Sequence, residues 1–131
     1  MSRTTELTLQ RIFHESVSRA ARWHEGDIHN WTPLEWAGAM CGEAGEAANA
    51  AKKLKRLRDG IKSINHDTET EIRHFIAESH AATAVVHEVC DTILYAVLLA
   101  ASAGATGDDL EITLASVFNT KSEEYGFPER L

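Results

Sequence analysis

The chain has 131 residues, 44% of them apolar and 25% charged, with a formal net charge of −7. That length suits one domain, residues 1–131, with a real core. The composition is too apolar for disorder, and the acidic balance argues against a nucleic-acid-binding surface, which needs clustered Lys and Arg. It leaves open a single nucleotide whose phosphates cations could bridge.

Only two prolines are present and alanine is abundant, so the bias is helical. Thr4 to His24 reads as a first helix, with Leu9, Ile12, Phe13, Val17, Ala20 and Ala21 recurring at helical spacing. Gly26 to Asn30 interrupts it. Thr32-Pro33-Leu34-Glu35 then carries a helix start: Thr32 as N-cap, Pro33 in the first turn, Glu35 closing a capping box. The helix that follows should run to Asp59-Gly60, with Gly60 as a left-handed C-cap. Gly38, Gly42 and Gly45 inside it point to close approach by another backbone or a ligand, or to tight helix packing.

Residues 61–67 read as a linker, with Asp67 or Thr68 capping a third segment from Glu69 to about Ser79. Ala81 to Ala103 is a strong helix, set off by a weak point at Ser79-His80 and ended by Gly104 and Gly107. Asp108 with Glu111 predicts a capping box for a last helix to about Glu124, terminated by Gly126-Phe127-Pro128. No alternating strand pattern occurs. The expected fold class is all-α: four main helices, with an extra helical segment between residues 61 and 82.

Cys41 and Cys90 form no CxxC pair and are expected to stay reduced in a cytoplasmic setting. The N-terminal stretch lacks the apolar run of a signal peptide. The run Thr92 to Ala103 is shorter than the ~20 residues a bilayer span needs, so no membrane partner is expected.

Two acidic pairs stand out, Glu43 with Glu46 and Glu88 with Asp91. A three-residue step on a helix leaves two side chains about 60° apart, so each pair faces one way. If the two helices pack together, four carboxylates converge among small and apolar neighbours. Such groups must be paired or hold metal, and hard oxygen ligands favour Mg²⁺ or Mn²⁺. Asn49 and Lys53 continue the face of Glu46, and Tyr95 that of Asp91, as a site for a polyphosphate would need. The bland reading of Lys52, Lys53, Lys55 and Arg56 is a solvated basic helix end that complements the helix dipole. Of the seven histidines, only His74 lies in an ExxH, with Glu71. A di-iron carboxylate bundle needs two such motifs, and a phosphate-binding GxxxxGK[ST] loop is absent.

The pattern Glu43-x-x-Glu46 followed by Glu88-x-x-Asp91 resembles the ExxE…ExxD signature of MazG-like, all-α nucleoside triphosphate pyrophosphohydrolases. The stretch from Trp31 to Arg56, WTPLEWAGAMCGEAGEAANAAKKLKR, is similar to small phage-type members, as is Phe118 to Phe127, FNTKSEEYGF. The resemblance covers roughly Trp31 to Phe127, apart from the segment between the motifs, where the gap is longer than relatives show. Val117 stands where relatives often carry lysine, a part Lys121 or Lys53 could take.

The resemblance implies a metal-dependent hydrolase that converts a deoxynucleoside triphosphate to the monophosphate and pyrophosphate. Glu43, Glu46, Glu88 and Asp91 would hold two or more Mg²⁺, or Mn²⁺, with Glu46 orienting or deprotonating the attacking water. Lys53, Asn119, Lys121, Asn49 and Tyr95 would meet phosphates or sugar, and Trp31 or Trp36 the base. It also implies a homodimer or homotetramer, in the host cytoplasm if phage-encoded. A purine such as dGTP is the preferred substrate, with pyrimidine dUTP or dCTP as the alternative. Other readings are a hydrolase of another pyrophosphate compound and a non-catalytic helical interaction module.

Overall fold

Thr8 opens the first helix: its hydroxyl accepts the Arg11 amide at 3.1 Å, and α1 runs Leu9–Trp23. The start expected at Thr4 falls partly outside the computed structural model, which describes residues 6–60 and 68–131. Local capping by Thr8 sets the observed start. The helix ends where Gly26, at φ 90°, turns its amide back onto the Ala21 carbonyl at 2.7 Å. A short 3-10 turn, Ile28–Asn30, follows, capped by Asp27.

The second helix, α2, spans Pro33–Gly60. Its capping box forms as the residue pattern predicts. The Glu35 carboxylate accepts the Thr32 amide at 2.6 Å, and the Glu35 amide reaches the Thr32 hydroxyl at 3.4 Å. Gly60 is the last helical residue and is not left-handed, so it is not the expected C-cap. A side chain at Gly38, Gly42 or Gly45 would meet no atom within 4 Å. None of the described residues makes the close approach expected there; these glycines lie well round the helix from the face that packs.

One continuous helix, α3, covers Thr68–Ser102. The weak point expected at Ser79-His80 does not break it. Neither residue obstructs the helical ladder, and Ala81, Ala82 and Ala84 carry it on. The extra segment expected between the acidic motifs is thus the first half of α3, and the linker at 61–67 lies outside the described residues. At 35 residues, α3 is long and apolar enough by composition to cross a membrane, a test that core helices of soluble proteins also pass. The short-run argument from Thr92 to Ala103 therefore does not hold.

The last helix, α4, spans Gly107–Tyr125, so Gly107 begins a helix rather than ending one. Its capping box joins Thr106 and Asp109, not Asp108 and Glu111. Thr106 is extended, accepts the Asp109 amide at 3.1 Å and donates its own amide to the Asp109 carboxylate at 2.9 Å. Asp108, one residue inside, accepts from Gln10 of α1 instead. Gly126, at φ 70°, closes the helix as the residue pattern predicts.

The molecule is all-α: four helices, with no strand among the described residues. Its contacts group into two compact units, Met1–Trp36 with Ala96–Leu131, and Ala37–Tyr95. The first holds nearly all of the fully buried apolar residues: Ala20, Ile28, Trp36, Val97, Leu98 and Ala101. Trp36 is the largest of them, and its indole N–H donates to the Ile28 carbonyl at 3.0 Å. The second is a helical hairpin in which Ala81 is the one fully buried residue among those described.

Thr106→Ala should destabilise the protein by about 0.5–2 kcal/mol, the usual cost of losing an N-cap. Hydrogen bonds from the Thr106 amide and hydroxyl hold the Asp109 carboxyl below its ordinary range. That contribution is present above the unfolded value near 3.8 and is lost as pH falls through the lower folded value. Denaturant titration across acid pH should therefore show a shallower acid loss in Asp109→Asn than in the parent.

Candidate metal centre

Within the hairpin, α2 and α3 run antiparallel. Arg58, near the end of α2, pairs with Glu78 of α3 at 2.9 Å, while Glu43, early in α2, meets Glu88 and Asp91, later in α3. Each helix turns a seam of buried and half-buried residues to the other. On α2 the seam is Glu43, Ala47, Ala50, Leu54 and Leu57; on α3 it runs through Ala81, Val85, Glu88, Thr92 and Tyr95. Both follow the alternating three- and four-residue steps of packed helices. Glu43 and Glu88 thus occupy positions that apolar residues fill elsewhere along the same interface. Glu46 and Asp91, one turn on, are exposed at its edge.

Carboxylate oxygens of Glu43, Glu88 and Asp91 lie within 4.8 Å of one another. Glu46 lies beside the same group, near enough for its charge to act on both Glu43 and Glu88. Partial burial in the seam raises the pKa of Glu43, and the charges of Glu46 and Asp91 raise it further. Burial likewise raises that of Glu88, followed by its contacts with Glu46 and the charges of Glu43 and Asp91. No Lys or Arg is paired with any of the four among the ion pairs of the described residues.

This donor set fits hard divalent cations. It offers several oxygens from two rigid helices, with repulsion that a cation would relieve. The remaining candidates divide between the two units. Asn49 and Lys53 are exposed on the side of α2 that carries Glu46, and Tyr95 is half-buried on α3 two turns beyond Glu88. Trp31, Asn119 and Lys121 belong to the other unit. Trp31 packs its ring against His24 and Trp36, each at a centroid distance of 4.7 Å. The Asn119 amide group bonds the backbone of Leu131 in both directions, at 2.9 and 3.3 Å, and Lys121 pairs with Glu124 at 2.8 Å. Arg58–Glu78, which ties the far end of the hairpin, had no signal in the sequence, because its register depends on how the helices meet.

No family model, curated protein or solved structure matches the chain.

Because Glu43 and Glu88 have raised folded values, they favour the folded state at low pH. Their contribution is fully present below the ordinary glutamate value of 4.5 and is lost as pH rises through the raised folded values. Melting curves of the metal-free protein should accordingly show a melting temperature that falls across that interval. The fall should be smaller in Glu88→Gln, and an unchanged slope would show that the four groups do not interact.

Proposed function

We propose that this protein is a metal-dependent nucleoside triphosphate pyrophosphohydrolase of the MazG-like kind, acting on a deoxynucleoside triphosphate. The observation that carries the reading is the convergence of Glu43, Glu46, Glu88 and Asp91 from two antiparallel helices. These are the four positions of the acidic signature, and in the hairpin they meet one another rather than a basic side chain. Glu43, Glu88 and Asp91 would hold Mg²⁺, with Glu46 as a further ligand. Bound there, divalent cations supply charge neutralisation and polarisation of the phosphoryl oxygens.

The protein's own part follows from where the four groups stand. Glu43 and Glu88, fixed in the seam, set the geometry. Glu46 is exposed beside both, which suits it to orient the attacking water and take its proton. The water oxygen bonds to phosphorus, the oxygen bridging the α and β phosphorus atoms leaves with pyrophosphate, and the monophosphate remains. Lys53 and Asn49, on the same face as Glu46, would meet phosphate and sugar, and Tyr95 the sugar. The resemblance also implies substrate contacts for Trp31, Asn119 and Lys121, and a homodimer or homotetramer. A purine such as dGTP is the proposed substrate, ahead of dUTP or dCTP.

A panel of deoxy- and ribonucleoside triphosphates with Mg²⁺, resolved by chromatography, tests the reading. The expected products are a monophosphate and pyrophosphate. Orthophosphate with a diphosphate, or no turnover of any member, contradicts it. Glu46→Gln should lower kcat by about 10²–10⁴, the usual contribution of a positioned base, with the helical circular dichroism unchanged.

A further inference from the structure

The chain after α4 folds back along that helix. Gly126, at φ 70°, reverses the backbone, and the Phe127 amide donates to the Ser122 carbonyl at 2.8 Å. Pro128 cannot continue the helix. The segment 127–131 then returns to Asn119, in the second half of α4. There the Asn119 side chain grips one residue with both ends of its amide. Its Oδ1 accepts the Leu131 amide at 2.9 Å, and its Nδ2 donates to the Leu131 backbone oxygen at 3.3 Å. A two-pronged grip uses the N–H and the lone pair that point the same way. The donor and acceptor left over point apart and cannot hold one group between them.

Little else fastens the segment. Residues 127–131 are all exposed, Leu131 at 67%. Arg130 donates only within the segment, to the carbonyls of Phe127 at 2.8 Å and Glu129 at 2.7 Å. The Phe127 ring stacks on its neighbour Tyr125. Among the described residues, Asn119 is the one group outside the segment with a hydrogen bond to residues 128–131. Asparagine is a poor residue for a helix interior, and this one spends its amide on a loosely packed strand.

We propose that residues 127–131 form a strap that competes with the substrate for Asn119. The inference rests on the hydrolase reading, in which Asn119 meets phosphate or sugar. With the strap closed, Leu131 holds the amide that the substrate would use. Two exposed hydrogen bonds between neutral groups keep it there, and bonds of that kind contribute little net stability. A triphosphate brings charged oxygens, whose hydrogen bonds are roughly twice as strong as neutral ones. Substrate therefore displaces Leu131. The apparent affinity is lowered in proportion to the fraction of molecules in which Asn119 is already free. The strap sets KM and leaves the chemical step, which belongs to the carboxylates, unchanged.

Steady-state kinetics with dGTP and with dUTP test this on the parent, Leu131→Pro, Asn119→Ala and the double variant. Leu131→Pro removes the amide that Asn119 accepts, at an exposed position. It should lower KM by about three- to tenfold with kcat unchanged and helical circular dichroism retained. Asn119→Ala should raise KM, and adding Leu131→Pro to it should change nothing further, because no amide remains to compete for. A second readout needs no turnover. By nuclear magnetic resonance, the Leu131 amide should exchange with solvent at least about threefold more slowly in the parent than in Asn119→Ala. Mg²⁺ with the non-hydrolysable α,β-imido analogue of dGTP should remove that protection. Equal KM in the parent and Leu131→Pro, with both turning over, overturns the strap and leaves the hydrolase reading standing. So does a drop in KM that persists in the Asn119→Ala background, or a Leu131 amide that exchanges equally fast in the parent and Asn119→Ala. No turnover of either triphosphate by any variant overturns the hydrolase reading and the strap with it.

Discussion

Two glutamates placed in a helix–helix seam set the character of the hairpin. Glu43 and Glu88 occupy positions that Ala47, Ala50, Ala81 and Val85 fill elsewhere along the same interface. Each is partly buried, each is repelled by its neighbours, and no Lys or Arg is paired with either among the described residues. A hairpin built only for stability would place apolar residues there. The helices nonetheless hold the two carboxylates together, with Glu46 and Asp91 at the rim. The proposed function offsets that repulsion with a ligand of opposite charge, for which the donor chemistry suits a hard divalent cation.

The same sparseness runs through the rest of residues 37–95. Ala47, Ala50 and Ala81 line the contact between α2 and α3 on either side of the carboxylates. Side chains this small let the backbones approach and bring the acidic groups within reach of one another. They also leave little apolar area inside the hairpin, and the large apolar residues Ile72, Phe75, Val86, Val89 and Ile93 of α3 lie on the outer side instead. Residues 1–36 with 96–131 are built differently. There Trp36 is enclosed, hydrogen-bonded to Ile28 and packed against His24 and Trp31, and capping at Thr8, Thr106 and Gly126 sets the helix ends.

Much of this was legible in the residues. Helical spacing in Leu9 to Ala21, the Thr32–Glu35 capping box and the glycine at 126 are local signals, and each local signal has a local outcome. The acidic pairs were legible because a three-residue step fixes a shared face whatever the tertiary structure. Where two local choices compete, the pattern is ambiguous: Thr106–Asp109 and Asp108–Glu111 offer the same box two residues apart, and the extended backbone at Thr106 decides between them. The apparent weak point at Ser79-His80 failed as a signal because a polar pair without Gly or Pro does not stop a helix. Gly38, Gly42 and Gly45 suggested a close neighbour that the described residues do not supply. The local partners of Asn119 and Trp31 depend on tertiary placement, which spacing along the chain does not encode.

The central claim is that the four carboxylates form a cation site. Electron paramagnetic resonance of Mn²⁺ titrated into the purified, metal-free protein tests it most directly, because bound and free Mn²⁺ give separate signals whatever the substrate. The account predicts saturable binding that Mg²⁺ displaces. It also predicts that Glu43→Gln and Glu88→Gln each weaken this binding by at least about tenfold, as losing one charged ligand from a hard-cation site should, with the helical content intact. Binding that survives both substitutions, or no binding at millimolar Mn²⁺, would contradict it.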